Sequence, residues 1–411
     1  MHQAVANQAA PADQVSFSGE RPAFSKLVTR GALLELVTFG FYRFWLATDI
    51  RRHLWSHTSV GGDPAEYTGR AKELLIGFLV AMAILMPVYL VYFLIGLEAE
   101  RLQAFASIPL IVFFYLFTEF ARYRACRYRL TRTLWRGLRF SMGGSGLSYS
   151  WRSGLWWLLV IVSLGLALPW RLAALERFKM RHTAYGSLQG RFDGTGGDLF
   201  KRAWGLWLVA LLTAFVLGTG LASPILLSMT SSTAVFGFIP TWFLALSAII
   251  LVIAAPFAYA AFKAIEWRWW VSGLRFGEVR FESELETEAL FGRYWAVIGW
   301  SLLLLLLFAI WNFGAFLLIS PLVGTGHDSQ QRLLTASQHP AMLAIFVIGY
   351  LFAAIAIGAV LRLYLNRDVW RLVAQSTVVH NLAAASDVVG QGVAAGALGE
   401  GLADGLDIAG F

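Results

Sequence analysis

Two carboxylates stand inside apolar stretches of the chain, Glu35 in 27–48 and Glu119 near the end of 104–121. A charge in an apolar helix is costly unless paired, so each marks a candidate for ion or proton handling with a partner nearby. Spacing offers Arg30 to the first and Arg122 to the second. Both carboxylates lie towards the basic end of their stretch, where water is close, and a structural ion pair competes there with a transport role.

Other clusters favour a plainer reading. His57-Thr58 and His182-Thr183 form a duplicated pair, but only His53 is near in sequence, so polar residues on strands account for them better than a metal site. Glu282, Glu284, Glu286 and Glu288 alternate as the water-facing side of a strand does. Arg122, Arg124, Arg127, Arg129, Arg132, Arg136 and Arg139 form the densest basic run. It suits anionic lipid headgroups, each basic residue contributing about 1 kcal/mol near such a surface. No nucleic-acid recognition motif accompanies it, so nucleic acid is not expected as a partner. Without a nucleophile elbow, a phosphate loop or HExxH, neither an enzyme nor a cofactor is expected. The single cysteine, Cys126, rules out an intramolecular disulfide.

The elements that hold these residues are mostly apolar. The 411 residues are 58% hydrophobic and 14% charged, with mean hydropathy +0.62, where soluble domains carry about 25% charged residues. Six stretches reach the roughly 20 residues that a helix needs to cross a hydrocarbon core. They are 74–97, 104–121, 203–229, 234–262, 294–323 and 340–361. Apart from Arg101 and Arg332, every Lys and Arg falls on one side of these spans or in segments leading to it, which predicts that both termini are cytoplasmic. The spans then pair as three hairpins, 74–121, 203–262 and 294–361. The polar start MHQAVANQAAPADQVS has no apolar core and reads as a disordered tail over 1–16, not a signal peptide.

Residues 37–62 recur without a gap at 162–187. Val37/Val162, Gly40/Gly165, Trp45/Trp170, Arg52/Arg177, His57/His182, Thr58/Thr183 and Gly61/Gly186 are identical, the mark of an internal duplication. Each copy holds a helix flanked by basic residues on both sides. The first breaks at Gly40 ahead of Trp45, the second at Gly165 and Pro169 ahead of Trp170. Both segments, 27–48 and 151–173, are therefore expected to be broken, re-entrant or interfacial helices on the cytoplasmic side, arranged as parallel repeats.

The connectors read as short strands. LWSHTSVGGDPAEYTG (54–69), GLRFSMGGSGLSYSW (137–151), RHTAYGSLQGRFDG (181–194) and SGLRFGEVRFESELETE (272–288) combine turn residues with strand-period alternation, and GLRF occurs at both 137–140 and 273–276. Helices leading into such stretches end in Arg-x-x-aromatic or apolar pairs: Arg52/Trp55, Arg132/Trp135, Arg177/Met180, Arg268/Val271 and Arg367/Trp370. Arg and Trp suit the headgroup level, which makes Arg52, Trp55, Arg132, Trp135, Arg136, Arg367 and Trp370 candidate interface residues. The strands are short enough to need one another, so a small cytoplasmic sheet is expected.

The run GFYRFW…RRHLW…GG…YTG resembles the YjgN-like family of bacterial inner-membrane proteins, a domain-of-unknown-function family. The likeness covers about 17–372. Thr38, Gly40, Tyr42, Trp45, Arg51, Arg52, Gly61, Gly62, Tyr67 and Gly69 carry it. Phe39 and Arg43–Phe44 depart from it, while the second copy has the family's proline before tryptophan at Pro169–Trp170. The resemblance implies a bacterial inner membrane and no activity. The fold expected is an α-helical polytopic membrane protein of six transmembrane helices in three hairpins, with two broken helices and short cytoplasmic β-strands. It would occupy 17–372 in quasi-repeats at about 17–135, 140–275 and 276–372, followed by a flexible Gly/Ala-rich tail, 373–411. The function expected is non-enzymatic organisation of the bilayer, anionic lipids or partner proteins through a basic Trp/Arg base. A small-solute or ion transporter is the alternative. Homo-oligomerisation is left open.

Overall fold

The computed structural model describes residues 13–98, 103–229, 241–320 and 339–391. The first twelve residues and 392–411, parts of the two expected tails, lie outside the described residues, as do 99–102, 230–240 and 321–338. The chain divides into two units, one of 1–17, 55–291 and 373–411, the other of 18–54 and 292–372.

The first unit is organised by one antiparallel sheet. Four hairpins are built alike: β3 (Thr58–Val60) with β4 (Asp63–Tyr67), β5 (Thr133–Trp135) with β6 (Leu138–Met142), β7 (Thr183–Tyr185) with β8 (Leu188–Phe192), and β9 (Leu274–Phe276) with β10 (Val279–Ser283). In each, a three-residue strand, a two-residue turn and a five-residue strand follow one another. Gly61, Arg136, Gly186 and Gly277 open the turns with φ between 49° and 57°, the left-handed geometry that matches a two-residue turn to the strand twist. Every long strand outruns its short partner and pairs its last residues with the next short strand: Ala65↔Trp135, Phe140↔Tyr185, Gly190↔Phe276 and Phe281↔Val379.

The fifth hairpin is split between the ends of the chain. β11 (Thr377–His380) takes the short-strand place, and β1 (Asp13–Gln14) pairs with it as Asp13↔Val379. Across Val15, β2 (Ser16–Phe17) pairs with β3 as Phe17↔Thr58. The strand order is β1-β11-β10-β9-β8-β7-β6-β5-β4-β3-β2, and its two edges are consecutive in the chain, so the sheet is a nearly closed barrel. One face is buried or half-buried and largely apolar, with rings in contact from Trp135 through Tyr185, Phe140 and Phe276 to Phe281. The other face shows Glu66, Gln189, Arg191, Arg280 and Glu282 to solvent. Beyond β11, Leu382 lies where a Cβ on Gly61 would fall, and Val388 does the same at Gly186, so this segment packs on the hairpin turns.

Helical excursions join the hairpins. They are α1 (Arg21–Val37) with α2 (Arg43–Ser56), α3 (Ala71–Glu98) with α4 (Gln103–Thr131), α5 (Gly146–Val162) with α6 (Leu168–Arg181), and α7 (Gly196–Met229) with α8 (Thr241–Gly273). The last comprises α9 (Thr287–Ile319), α10 (Pro340–Leu361), a π-helical stretch Arg362–Val369 and α11 (Trp370–Gln375). Threonines starting a strand close the helix before it: the hydroxyls of Thr133, Thr183 and Thr377 donate to the carbonyls of Arg129, Lys179 and Val373 at 2.8, 2.9 and 2.7 Å.

The expected fold is corrected in three respects. The chain is not three transmembrane hairpins with a small sheet of connector strands; its strands do pair, but as one nearly closed eleven-stranded barrel. Among the described residues three helices, Ala71–Leu94, Thr287–Ile319 and Pro340–Gln375, are long and apolar enough to cross a membrane. Apolar length was the sequence signal for six spans, yet α4 runs past its apolar part through Glu119 and the arginines to Thr131, where it delivers β5. The segments assigned to tails supply Asp13–Ser16 and β11, because two strand edges needed partners. The repeated GLRF quartet marks unlike places: 137–140 crosses a turn into a long strand, and 273–276 leaves a helix for a short one.

If the N-terminal strand closes the barrel, Val15→Pro removes the amide that donates to the Thr377 carbonyl at 3.0 Å. Chemical denaturation in detergent should show a loss of about 2–4 kcal/mol, with faster proteolysis within 377–391. An unchanged unfolding midpoint would contradict the closure.

Candidate functional site

The two bent excursions place the charged residues. At 38–42 and 163–167 the chain turns in the same way. The Gly40 amide donates to the Glu35 carbonyl and the Gly165 amide to that of Val160, both at 2.7 Å. The Thr38 and Ser163 hydroxyls each accept from the amide four residues on, Tyr42 and Ala167, at 2.9 Å. Gly40 and Gly165 have φ of 88° and 91°, and Phe39 and Leu164 before them are also left-handed at 49° and 51°. Such a conformation is uncommon for a bulky residue and costs on the order of 1 kcal/mol. Phe39 and Leu164 are exposed at the tips. Trp45 stacks on Tyr42, and Trp170 packs on Phe200 so closely that Gly196 has no room for a Cβ.

Glu119 is 2% exposed. Arg122 donates to its Oε1 at 2.7 Å, as spacing suggested, and Arg171 of α6 approaches the same oxygen at 3.3 Å. Arg171 is itself buried and also donates to Ser153 Oγ at 2.8 Å and Tyr115 Oη at 3.2 Å, with its guanidinium over the Trp157 ring. This network ties α4, α5 and α6 together. Arg171 escaped the sequence reading because it lies 52 residues from Glu119, and only the bend after α5 brings α6 back.

In the second unit, Glu35 pairs not with Arg30 but with Arg362, whose two terminal nitrogens each donate at 2.8 Å to one carboxylate oxygen. This fork geometry is the strong form of the pair. Arg30 instead lies near Asp49, where burial pushes the carboxyl pKa up while Arg52 and Arg30 pull against it. Close by in sequence to Arg362, the buried Asp368 pairs with Arg367 at 2.5 Å, and Arg21 and Arg293 stand at 3.4 and 3.8 Å.

The interface candidates are held within the chain. Arg132 pairs with Glu73 at 2.9 Å and Arg136 with Asp63 at 2.5 Å, its guanidinium over the buried Trp135. Arg367 is 2% exposed and also donates to the Gly19 carbonyl. Trp55 donates to Thr133 Oγ1 at 2.9 Å, and Arg52 lies 3.8 Å from Asp49. Trp370 follows the π-helical stretch and opens α11. A different arginine register emerges from the strands: Arg52, Arg127, Arg177, Arg268 and Arg371 each lie six residues before a short strand. Arg177 donates to the Gly194 carbonyl and Arg268 to Thr287 Oγ1, both just past the long strand of the same hairpin.

Beside the Glu119 network, Lys179 contacts Glu176 at 2.5 Å, and Trp270 donates to Glu176 at 3.1 Å. Burial, the largest single effect, would lower the Lys179 pKa, but Glu176 together with Tyr149 and Cys126 outweighs it and the net shift is upward. Burial pushes Tyr149 up to about 12, with Lys179 opposing. On another side of α6 a cavity of about 490 Å³ is lined by Ser145, Ser148, Arg152, Arg177, Arg181 and His182. No carboxylate of the described residues pairs with any of its three arginines.

Fold and site together define a membrane-associated helical protein built on a short-stranded barrel, with the buried carboxylates Glu35, Glu119 and Asp368 each paired to arginine. Among the described residues no group of three His, Cys, Asp or Glu could hold a metal. The chain belongs to the bacterial family described as a protein of unknown function, DUF898, which matches residues 12–405 and is the YjgN-like family. No curated protein and no solved structure matches it.

Glu119→Leu should cost about 3–5 kcal/mol in denaturation midpoint experiments, because it leaves Arg171 buried without its carboxylate. Adding Arg171→Met should recover much of that loss. A double variant no better than the single one would show that the pair is not the source.

Proposed function

We propose that this chain is a non-enzymatic protein of the bacterial inner membrane that holds anionic lipids, or partner proteins, through its basic residues. The observation carrying this reading is the exposure of its most apolar helices. The candidate spans have mean hydropathy 2.6, yet only 17%, 11% and 6% of their most apolar windows is buried inside the chain. A helix apolar on all sides and left uncovered is suited to lipid. The bent excursions add exposed apolar tips, Val37, Phe39 and Phe41 in one and Val162 and Leu164 in the other. Basic residues near such surfaces favour the cytoplasmic leaflet, which is anionic. A transport reading has less support, since Glu35 and Glu119 are each closed by a guanidinium. We also read the five hairpins with their excursions as repeats of one module, of which the 37–62/162–187 likeness is the part still visible in sequence.

Lipid analysis of the protein extracted in mild detergent tests the function: anionic lipids should be enriched over the bulk membrane, and co-purification in bulk proportions would overturn it. Orientation has a separate test. In a Cys126→Ser background, Ser187→Cys should react with an impermeant maleimide only after the cytoplasmic side is opened. Labelling of intact spheroplasts would sink the cytoplasmic placement of the barrel.

A further inference from the structure

We infer that the cavity between the start of α5 and the end of α6 is a binding site for a phosphomonoester, a dianionic group carried by either a soluble metabolite or a lipid headgroup. Three positive side chains converge on it from two helices, Arg152 from α5 and Arg177 and Arg181 from α6. Arg181 also complements the carbonyl end of α6, but Arg152 and Arg177 lie outside that last turn. Arg177 spends one nitrogen on the Gly194 carbonyl at 3.1 Å. The Arg152 guanidinium lies 4.7 Å from the centre of the Phe178 ring. That ring is fixed in turn by Tyr123, Tyr149 and His182, so Arg152 is oriented before any ligand arrives.

His182 also lines the cavity. Its Nδ1 lies 2.7 Å from the Phe178 carbonyl, and since a carbonyl only accepts, Nδ1 carries a proton that is spent within the chain, while Nε2 of the neutral ring is an acceptor and the positive donors of the site are the arginines. Ser145 caps α5, accepting from the Ser148 amide at 3.4 Å, and the positive end of this 17-residue helix opens on the same space. Guanidinium forks match phosphate oxygens, and a net charge of three facing no carboxylate suits a dianion better than a diester. The volume, about 490 Å³, admits a phosphate with a small organic group. Leu147 and Trp151, exposed next to the cavity residues Ser148 and Arg152, would lie along an acyl chain if the ester is a lipid.

The inference goes beyond general anionic-lipid contact, and its test separates the two. The full chain in detergent is titrated with inorganic phosphate and with glycerol 3-phosphate. In parallel it is reconstituted in nanodiscs containing phosphatidic acid or, at equal charge, phosphatidylglycerol. Saturable binding of the soluble ester, or a preference for phosphatidic acid alone, supports the site and tells the source. In either case Arg152→Ala/Arg181→Ala should weaken binding roughly tenfold or more. Should that variant fail to fold, the wild-type chain decides: ligand should protect Arg152, Arg177 and Arg181 from phenylglyoxal, as read by mass spectrometry. Equal response to both lipids with no soluble binding, or no arginine protection, overturns the inference while leaving general anionic-lipid enrichment to stand on its own test.

Discussion

A β-hairpin with a three-residue and a five-residue arm cannot stand alone in water, and its longer arm leaves backbone donors and acceptors unpaired. In this chain every such edge is taken by the next hairpin, and the circuit has no free end only because residues 13–17 pair with β11 on one side and β3 on the other. That closure sets where each helical excursion begins and ends. It also accounts for the uniform two-residue turns, since one added residue would shift a long strand's register and turn its apolar face outward.

Given the barrel, the excursions differ in what they do. Those that carry α3, α9 and α10 are long and apolar, and little of their surface is covered within the chain. The α5–α6 excursion is short and bent, and its return path brings charges together. α6 carries Arg171 to Glu119 on one side and Arg177 and Arg181 to the start of α5 on the other. A buried carboxylate with guanidinium partners is satisfied and closed, whereas arginines facing a cavity with no carboxylate keep their charge available. This difference separates the structural ion pairs from the proposed ligand site.

Much of the local structure was legible in the residues. Strand-period alternation over 279–283 and turn glycines at 61, 186 and 277 mark hairpins that the fold contains. The matched break at Gly40 and Gly165 is real in both copies, down to the same 2.7 Å hydrogen bond. Arg122 as the partner of Glu119 followed from helical spacing, three residues apart on one face. Arg362 as the partner of Glu35 did not, for it lies 327 residues away and no local pattern connects the two. Of the arginines read as a headgroup belt, Arg132 and Arg136 have partners in Glu73 and Asp63, which distant segments supply, and Arg367 pairs with its neighbour Asp368.

Composition and periodicity by themselves determined that the chain carries apolar helices, that short strands lie between them, and that two helices break at a glycine, because each depends on residues close in sequence. Tertiary structure alone decided that the strands form a single barrel, that the segments read as tails complete it, and which arginines are paired and which face a cavity. Strand pairing and ion pairing across hundreds of residues are settled by which edges and charges would otherwise stay unsatisfied, and that is a property of the whole fold.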